Sequence, residues 1–223
     1  MSASFRTASR RFRDRDDAGR QLAEALRPVV EGAPAGTLVV GLPRGGVVVA
    51  AGVAAGLGLP LDAMAVCKIG SPHNPELAVG AVTADGHVLL NPQVVAVEQL
   101  ADDDVALLVE RAAAQARADD ATYRPGRPPI DLRDREVLLV DDGAATGATV
   151  RACAAAARVA GAARVVVGLP VAPRETLDVL DRETDGVVCL RTPLLFRAVG
   201  WAYERFGPTD TEHVLGLLRA ETG

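Results

Sequence analysis

The feature that most limits how this chain can fold is a series of short apolar runs that carry no polar alternation: 37–42, 61–69, 137–140, 164–169 and 186–190. A strand with one wet face alternates apolar and polar residues, whereas a strand buried on both faces does not. Between the runs lie segments of helical spacing. The first has Leu22, Ala25, Leu26 and Val29 in register, with Asp16 or Asp17 as its N-cap. An Ala/Val-rich stretch reaches Gly56, and an Ala-rich helix is expected from about Asp102 to Thr122. Further helices are expected over 147–160, 173–181 and 211–220, the last with Val214, Leu217 and Leu218 on one face. Buried strands alternating with helices predict an α/β fold: a central, mostly parallel sheet flanked by helices on both faces, with ligands bound at the carboxyl ends of the strands.

Residues 70–76 are dense in helix and strand breakers and predict a loop. Beyond them, 77–83 and 87–90 flank Asp85-Gly86, a hairpin signal. No internal repeat or linker divides the chain, so residues 1–223 are expected to form one domain, with 1–12 frayed, 70–90 a mobile loop and hairpin, and 191–223 a C-terminal decoration. A net charge of −5 argues against a nucleic-acid partner, so an anionic ligand would need local positive groups. The longest uncharged run, 45–61, is broken by Gly56, Gly58 and Pro60 and is too short for a membrane span. No apolar signal-peptide core follows the Arg-rich start. Cys67, Cys153 and Cys189 are scattered, as expected of reduced thiols in a cytoplasmic protein.

The run Val137-Leu138-Leu139-Val140 ends in Asp141-Asp142, and the chain continues Gly143-Ala144-Ala145-Thr146-Gly147-Ala148-Thr149 into a helix. Small residues let the backbone curl so that successive N–H groups point into one concavity, and the helix adds the positive end of its dipole. Thr146 and Thr149 can add hydroxyl donors. The carboxylates would repel phosphate, but beside it they suit the vicinal hydroxyls of a sugar. The plain alternative is a strand-to-helix turn with a capping Thr and two solvated Asp residues. No G-x-x-x-x-G-K-[ST] loop occurs in the chain, and no G-x-G-x-x-G follows the first strand. At the end of that strand, Pro43-Arg44-Gly45-Gly46 combines a guanidinium fork with two glycines that permit close backbone approach; its alternative is a turn with Arg44 at the surface.

The run Val137 to Thr149 resembles the PRPP (5-phosphoribosyl-1-pyrophosphate) signature of type I phosphoribosyltransferases: four apolar residues, an acidic pair and a turn ending T-G-x-T. Nearly the whole chain is similar to bacterial phosphoribosyltransferase-domain proteins of undefined acceptor, through Phe12 to Gly19, Lys68 to Glu76, and Gly200 to Glu212. The resemblance implies a flexible hairpin insertion, a small C-terminal hood, Mg²⁺ carried mainly by substrate and water, and transfer of ribose 5-phosphate to a nitrogen of a base with release of pyrophosphate. It places PRPP on residues 141–149. It implies that Arg44, Gly45 and Gly46 grip pyrophosphate, often through a strained non-proline peptide. Lys68, His73, Asn74 and Glu76 fall on the mobile lid, with Arg44 and Lys68 neutralising the leaving group and Asp141 and Asp142 at the reacting sugar. Phe196 or Trp201 would stack on the base, or else form a satellite core. The family admits a homodimer, a PRPP-sensing regulator without transfer, and a hydrolase of a phosphoribosyl compound.

One compositional fact bears on Lys68. Of the 24 basic residues it is the one lysine, and Ile69 and Asn74, each of a type used twice in the chain, lie close by. A site needing only positive charge could have become arginine under that bias, so Lys68 is expected to act as a compact point charge on a phosphoryl oxygen.

Overall fold

In chain order the elements are α1 (Arg15–Val30), β1 (Leu38–Gly41), α2 (Gly45–Leu57), β2 (Leu61–Ala63), β3 (Val66–Gly70), β4 (Ala78–Thr83), β5 (Val88–Leu90), α3 (Pro92–Val97), α4 (Asp102–Tyr123), β6 (Glu136–Val140), α5 (Ala148–Val159), β7 (Arg164–Val171), α6 (Arg174–Glu183), β8 (Gly186–Arg191), a short 3₁₀ helix (Val199–Ala202) and α7 (Thr211–Ala220). This computed structural model describes residues 11–30, 36–73, 77–126 and 130–220. The loop expected at 32–36 and the Pro/Gly/Arg linker of 123–129 lie partly outside them.

The apolar runs assemble as expected into a five-stranded sheet of order β2-β1-β6-β7-β8, every neighbouring pair parallel. Strand β6 shows why its run lacks alternation. Val137 and Leu139 enter the core beneath α5 and α6, while Leu138 and Val140 enter the core beneath α1, α2 and α7, all four fully buried. Each such side chain is worth about 1.5–3 kcal/mol relative to exposure. Helix α7 joins this second core through Val214 and Leu218, so the tail is partly structural.

The run 61–69 is two strands, not the single strand expected. Met64 N–H donates to Gly41 O (3.3 Å) and ends the pairing with β1; the chain then enters a second, antiparallel sheet of order β3-β4-β5. An apolar run of this length fits one long strand or two short ones, and only tertiary pairing decides. The small sheet packs on α4 through Ile69, Val79, Val82 and Ala112. Buried Asp62 of β2 is held by both nitrogens of the Arg124 fork at 3.1 Å. Helix α3 was not expected; Asn91 caps it by accepting from Gln93 and Val94 N–H, with Pro92 opening the helix.

Two corrections concern the N-terminal segment. Asp14, not Asp16 or Asp17, caps α1, its Oδ1 accepting from Asp17 N–H at 3.0 Å. Fraying does not reach residue 12: Phe12 is fully buried and bridges Tyr203 in parallel, donating N–H to Ala202 O (2.8 Å) and accepting from Glu204 N–H (2.7 Å). The ring's burial against Tyr203 and Ala18 outweighs the cost of ordering the segment. Among the described residues no helix is long and apolar enough to cross a membrane.

Candidate active site

Strands β1 and β6 are neighbours, so the loops leaving their carboxyl ends lie side by side. The strand pairing runs one step into the loops, with Leu42 N–H donating to Val140 O at 3.0 Å. The Pro43–Arg44 peptide is cis, in the loop where the resemblance implies a strained non-proline peptide. Beyond it the two loops touch. A Cβ on Gly46 would meet Asp141 Oδ1 at 2.8 Å, and one on Gly45 would meet Asp142 Oδ2 at 2.0 Å. Only glycine fits at these two positions, which explains the pair without invoking flexibility. Arg44 stands exposed at the start of α2.

The acidic pair is held unlike ordinary surface aspartates. Asp141 accepts from the N–H of Asp142 at 2.8 Å. Burial, followed by the adjacent Asp142 charge, pushes the Asp141 carboxyl well above its usual range. Burial also raises Asp142, against the hydrogen bond and charge of Arg15, whose Nε lies 2.8 Å from Asp142 Oδ2. The Asp142 carbonyl accepts from the Tyr203 hydroxyl at 2.6 Å. Burial keeps that phenol protonated, so it serves as a donor.

Past the pair, Gly143 packs beneath Val171 and Val199, and Ala144 N–H donates to Val171 O at 3.0 Å. Ala145 and Thr146 stand exposed, and Thr176 secures the turn by donating to Ala145 O at 2.6 Å. Gly147 takes φ +71°, the left-handed conformation that lets the chain turn into α5. Helix α5 starts at Ala148 with no acidic residue in its first turn and no side-chain cap, and Thr149 is exposed there. Its positive dipole end therefore meets no acidic side chain in its own first turn, an arrangement that suits an anion, with Ala148 N–H donating to Thr146 Oγ1 at 3.4 Å.

The remaining expected residues are less concentrated. Lys68 lies in the middle of β3, opposite Ala81, rather than at a strand end. His73 is exposed, its N–H donating to Ser71 Oγ at 3.1 Å, while Asn74 and Glu76 lie outside the described residues. Trp201 is exposed beneath the Arg197 guanidinium (4.9 Å), and Phe196 is half-buried. The aromatic that reaches the acidic pair is Tyr203, with Phe206 stacked on it at 5.0 Å and Arg15 4.0 Å above Phe206. Sequence inspection assigned no role to Arg15, Tyr203 or Phe206. The one available signal was that Arg15 and Tyr203 fall in or beside the quoted stretches at 12–19 and 200–212.

Two cavities are lined by other residues for the most part: one of about 300 Å³ among Met64, Thr83, Arg124 and Leu132, and one of about 640 Å³ between Gly80, Leu89, Leu90 and Ala152 that reaches Ala148 at the start of α5. Neither is lined by Arg44, Asp141 or Asp142.

A family model described as phosphoribosyl transferase domain matches residues 20–196. A Mycobacterium tuberculosis protein, found in two strains and named "Putative phosphoribosyl transferase", is 44% identical over 212 residues, covering 93% of this chain and 46% of its own length. The chain thus spans about half the length of these curated relatives, 46%. The crystal structure of the protein TT1426 from Thermus thermophilus is 42% identical with a TM-score of 0.86, covering 96% of this chain and 100% of the other. With the acidic pair, its glycine loop and the second glycine loop beside it, these matches establish that the chain belongs to the phosphoribosyl transferase domain family.

Proposed function

We propose that the chain binds PRPP and transfers its ribose 5-phosphate to a nitrogen of a heterocyclic base, releasing pyrophosphate. The observation that carries this is the direct packing of Gly45 and Gly46 on Asp141 and Asp142, which sets a phosphate cradle, sugar acceptors and a pyrophosphate loop around one groove. The 5-phosphate sits at the turn of 145–149 where α5 begins, with the Thr146 and Thr149 hydroxyls as further donors. Asp142 accepts from the ribose diol, while Asp141, its carboxyl pushed up by burial, accepts from Asp142 N–H and shapes the turn beneath it.

In the reaction the bond from C1 to the pyrophosphate oxygen breaks, a bond from C1 to the base nitrogen forms, and that nitrogen loses its proton. Positive charge develops on the sugar, so the chain's work is to position the reactants and stabilise the departing negative charge. Arg44 and Lys68 supply that stabilisation. The donor set suits Mg²⁺ held by substrate oxygens and water: a partly exposed carboxylate, Asp142, can accept from its bound water, and the ion screens the pyrophosphate charge when bound.

The test is turnover of PRPP and Mg²⁺ across a panel of purines, pyrimidines and related heterocycles, followed by pyrophosphate release and product mass. Base-dependent pyrophosphate release is expected. Tight PRPP binding with no cleavage on any base would replace the transferase with a sensor, and phosphate release without a base would replace it with a hydrolase.

A further inference from the structure

Arg15 occupies a place that helix energetics disfavour. It is the first residue of α1, where the helix dipole repels a cation. Its side chain is only 13% exposed and its partner Asp142 16%, so the pair is largely desolvated, and a buried pair is weak evidence for stability. A local rule broken at a buried position usually serves function.

The surroundings fix this guanidinium on three sides. Nε donates to Asp142 Oδ2 (2.8 Å), Nη1 donates to Gly207 O (2.9 Å), and the Phe206 ring lies 4.0 Å below Cζ. Phe206 stacks on Tyr203, which holds the Asp142 carbonyl. Asp142 is therefore fixed at its side chain by the start of the chain and at its backbone by the hood. Among the described residues, the side chain that hydrogen-bonds the Asp142 carboxylate is that of Arg15, at Oδ2.

We infer that Arg15 is a positioning residue: by holding Oδ2 from behind, it turns Oδ1 of Asp142 toward the sugar hydroxyls. The inference rests on the ribose 5-phosphate site proposed above. The N-terminal segment, clamped by the Phe12–Tyr203 bridge, is on this account part of the sugar site. Arg15 acts on the diol acceptor and not on the phosphate cradle, since its contacts among the described residues lie on Asp142, Gly207 and Phe206, with its Nε also against Gly45, and none on 143–149.

Calorimetric titration of ribose 5-phosphate and of inorganic phosphate into wild type, Arg15→Gln and Arg15→Lys tests this separation. Arg15→Gln should weaken ribose 5-phosphate about tenfold, the scale of one hydrogen bond to a charged group, and leave phosphate within about twofold. Arg15→Lys should recover part of the loss. Equal weakening of both ligands would make Arg15 a loop support, and no weakening of either would make it idle; each overturns the inference. Should Arg15→Gln fail to fold, Phe206→Leu, which removes the ring under the guanidinium, should weaken ribose 5-phosphate about threefold and phosphate not at all; an unchanged ribose 5-phosphate affinity there overturns it too. Wild type binding phosphate and ribose 5-phosphate equally would instead remove the diol site itself, and the inference with it.

Discussion

The two ends of the main sheet treat carboxylates in opposite ways. At the amino end of the strands, Asp185 accepts from Arg158 and from Val165 N–H (2.6 Å), and the buried Glu136 pairs with Arg164. Burial pushes the Asp185 carboxyl up, but the Arg158 and Val165 hydrogen bonds and the nearby Arg164 charge together bring it below its ordinary value. At the carboxyl end, Asp141 and Asp142 share one arginine, and both are held above theirs. Charge is matched where the sheet needs only to stand. It is left in deficit at the carboxyl end, which is the pattern expected of a binding site.

Changes at the carboxyl end should therefore cost ligand binding and spare stability, and changes at the amino end should do the reverse. The largest effect is expected for Asp142→Asn. Loss of a charged acceptor should weaken PRPP binding about tenfold to a hundredfold by calorimetry, with the melting temperature held or raised. A variant that unfolds while wild type binds PRPP poorly would make the loop structural.

Lys68→Arg sharpens the contrast from a third place, the small sheet. It should keep PRPP affinity and lose most turnover, about tenfold, because the planar fork cannot replace a compact charge on a phosphoryl oxygen. Undiminished steady-state turnover would reduce Lys68 to a charge. Asp185→Ala should leave PRPP binding alone and cost about 1 kcal/mol, since it strands the Val165 N–H. For a chain of this size that lowers the melting temperature by about 2–4 °C; a loss of PRPP affinity instead would break the division between the two ends.

The smallest effect is one of slope. A carboxyl whose pKa is raised by folding binds more protons in the native state. Its stability contribution is thus present below the unfolded value and lost as pH rises through the raised one. Asp185, lowered, behaves the other way and loses its contribution on acidification. Melting curves between about pH 4 and 8 should show Asp141→Asn gaining on wild type as pH rises, because wild type alone carries a carboxyl that ionises more readily unfolded than folded. A gap that is flat with pH would mean that folding does not raise the Asp141 carboxyl.

Much of the site was legible because it is local. The run 137–149 carries strand, turn and helix start in sequence, and 43–46 shows its glycines directly, so no distant partner was needed to read either loop. What was missed depends on contacts between the ends of the chain. Arg15 and Asp142 are 127 residues apart, Tyr203 and Asp142 are 61, and no periodicity brings such residues together. The fold shows the same division. Strand burial in β6 follows from its own four apolar residues, whereas the break inside 61–69 was settled by Gly41 O and by pairing with β4. Phe12 was expected to fray because nothing near it in sequence is apolar with a period; its partner, Tyr203, lies in the hood.

The central claim is that the groove between 43–46 and 141–149 holds a pyrophosphorylated ribose 5-phosphate. Isothermal titration of PRPP into the wild-type chain, with and without Mg²⁺ and against ribose 5-phosphate, tests it most directly. PRPP should bind in a Mg²⁺-dependent way and more tightly than ribose 5-phosphate, which lacks the pyrophosphate that Arg44 and Gly45 are placed to hold. No heat of PRPP binding at millimolar ligand, or equal affinity for the two compounds, would contradict the account.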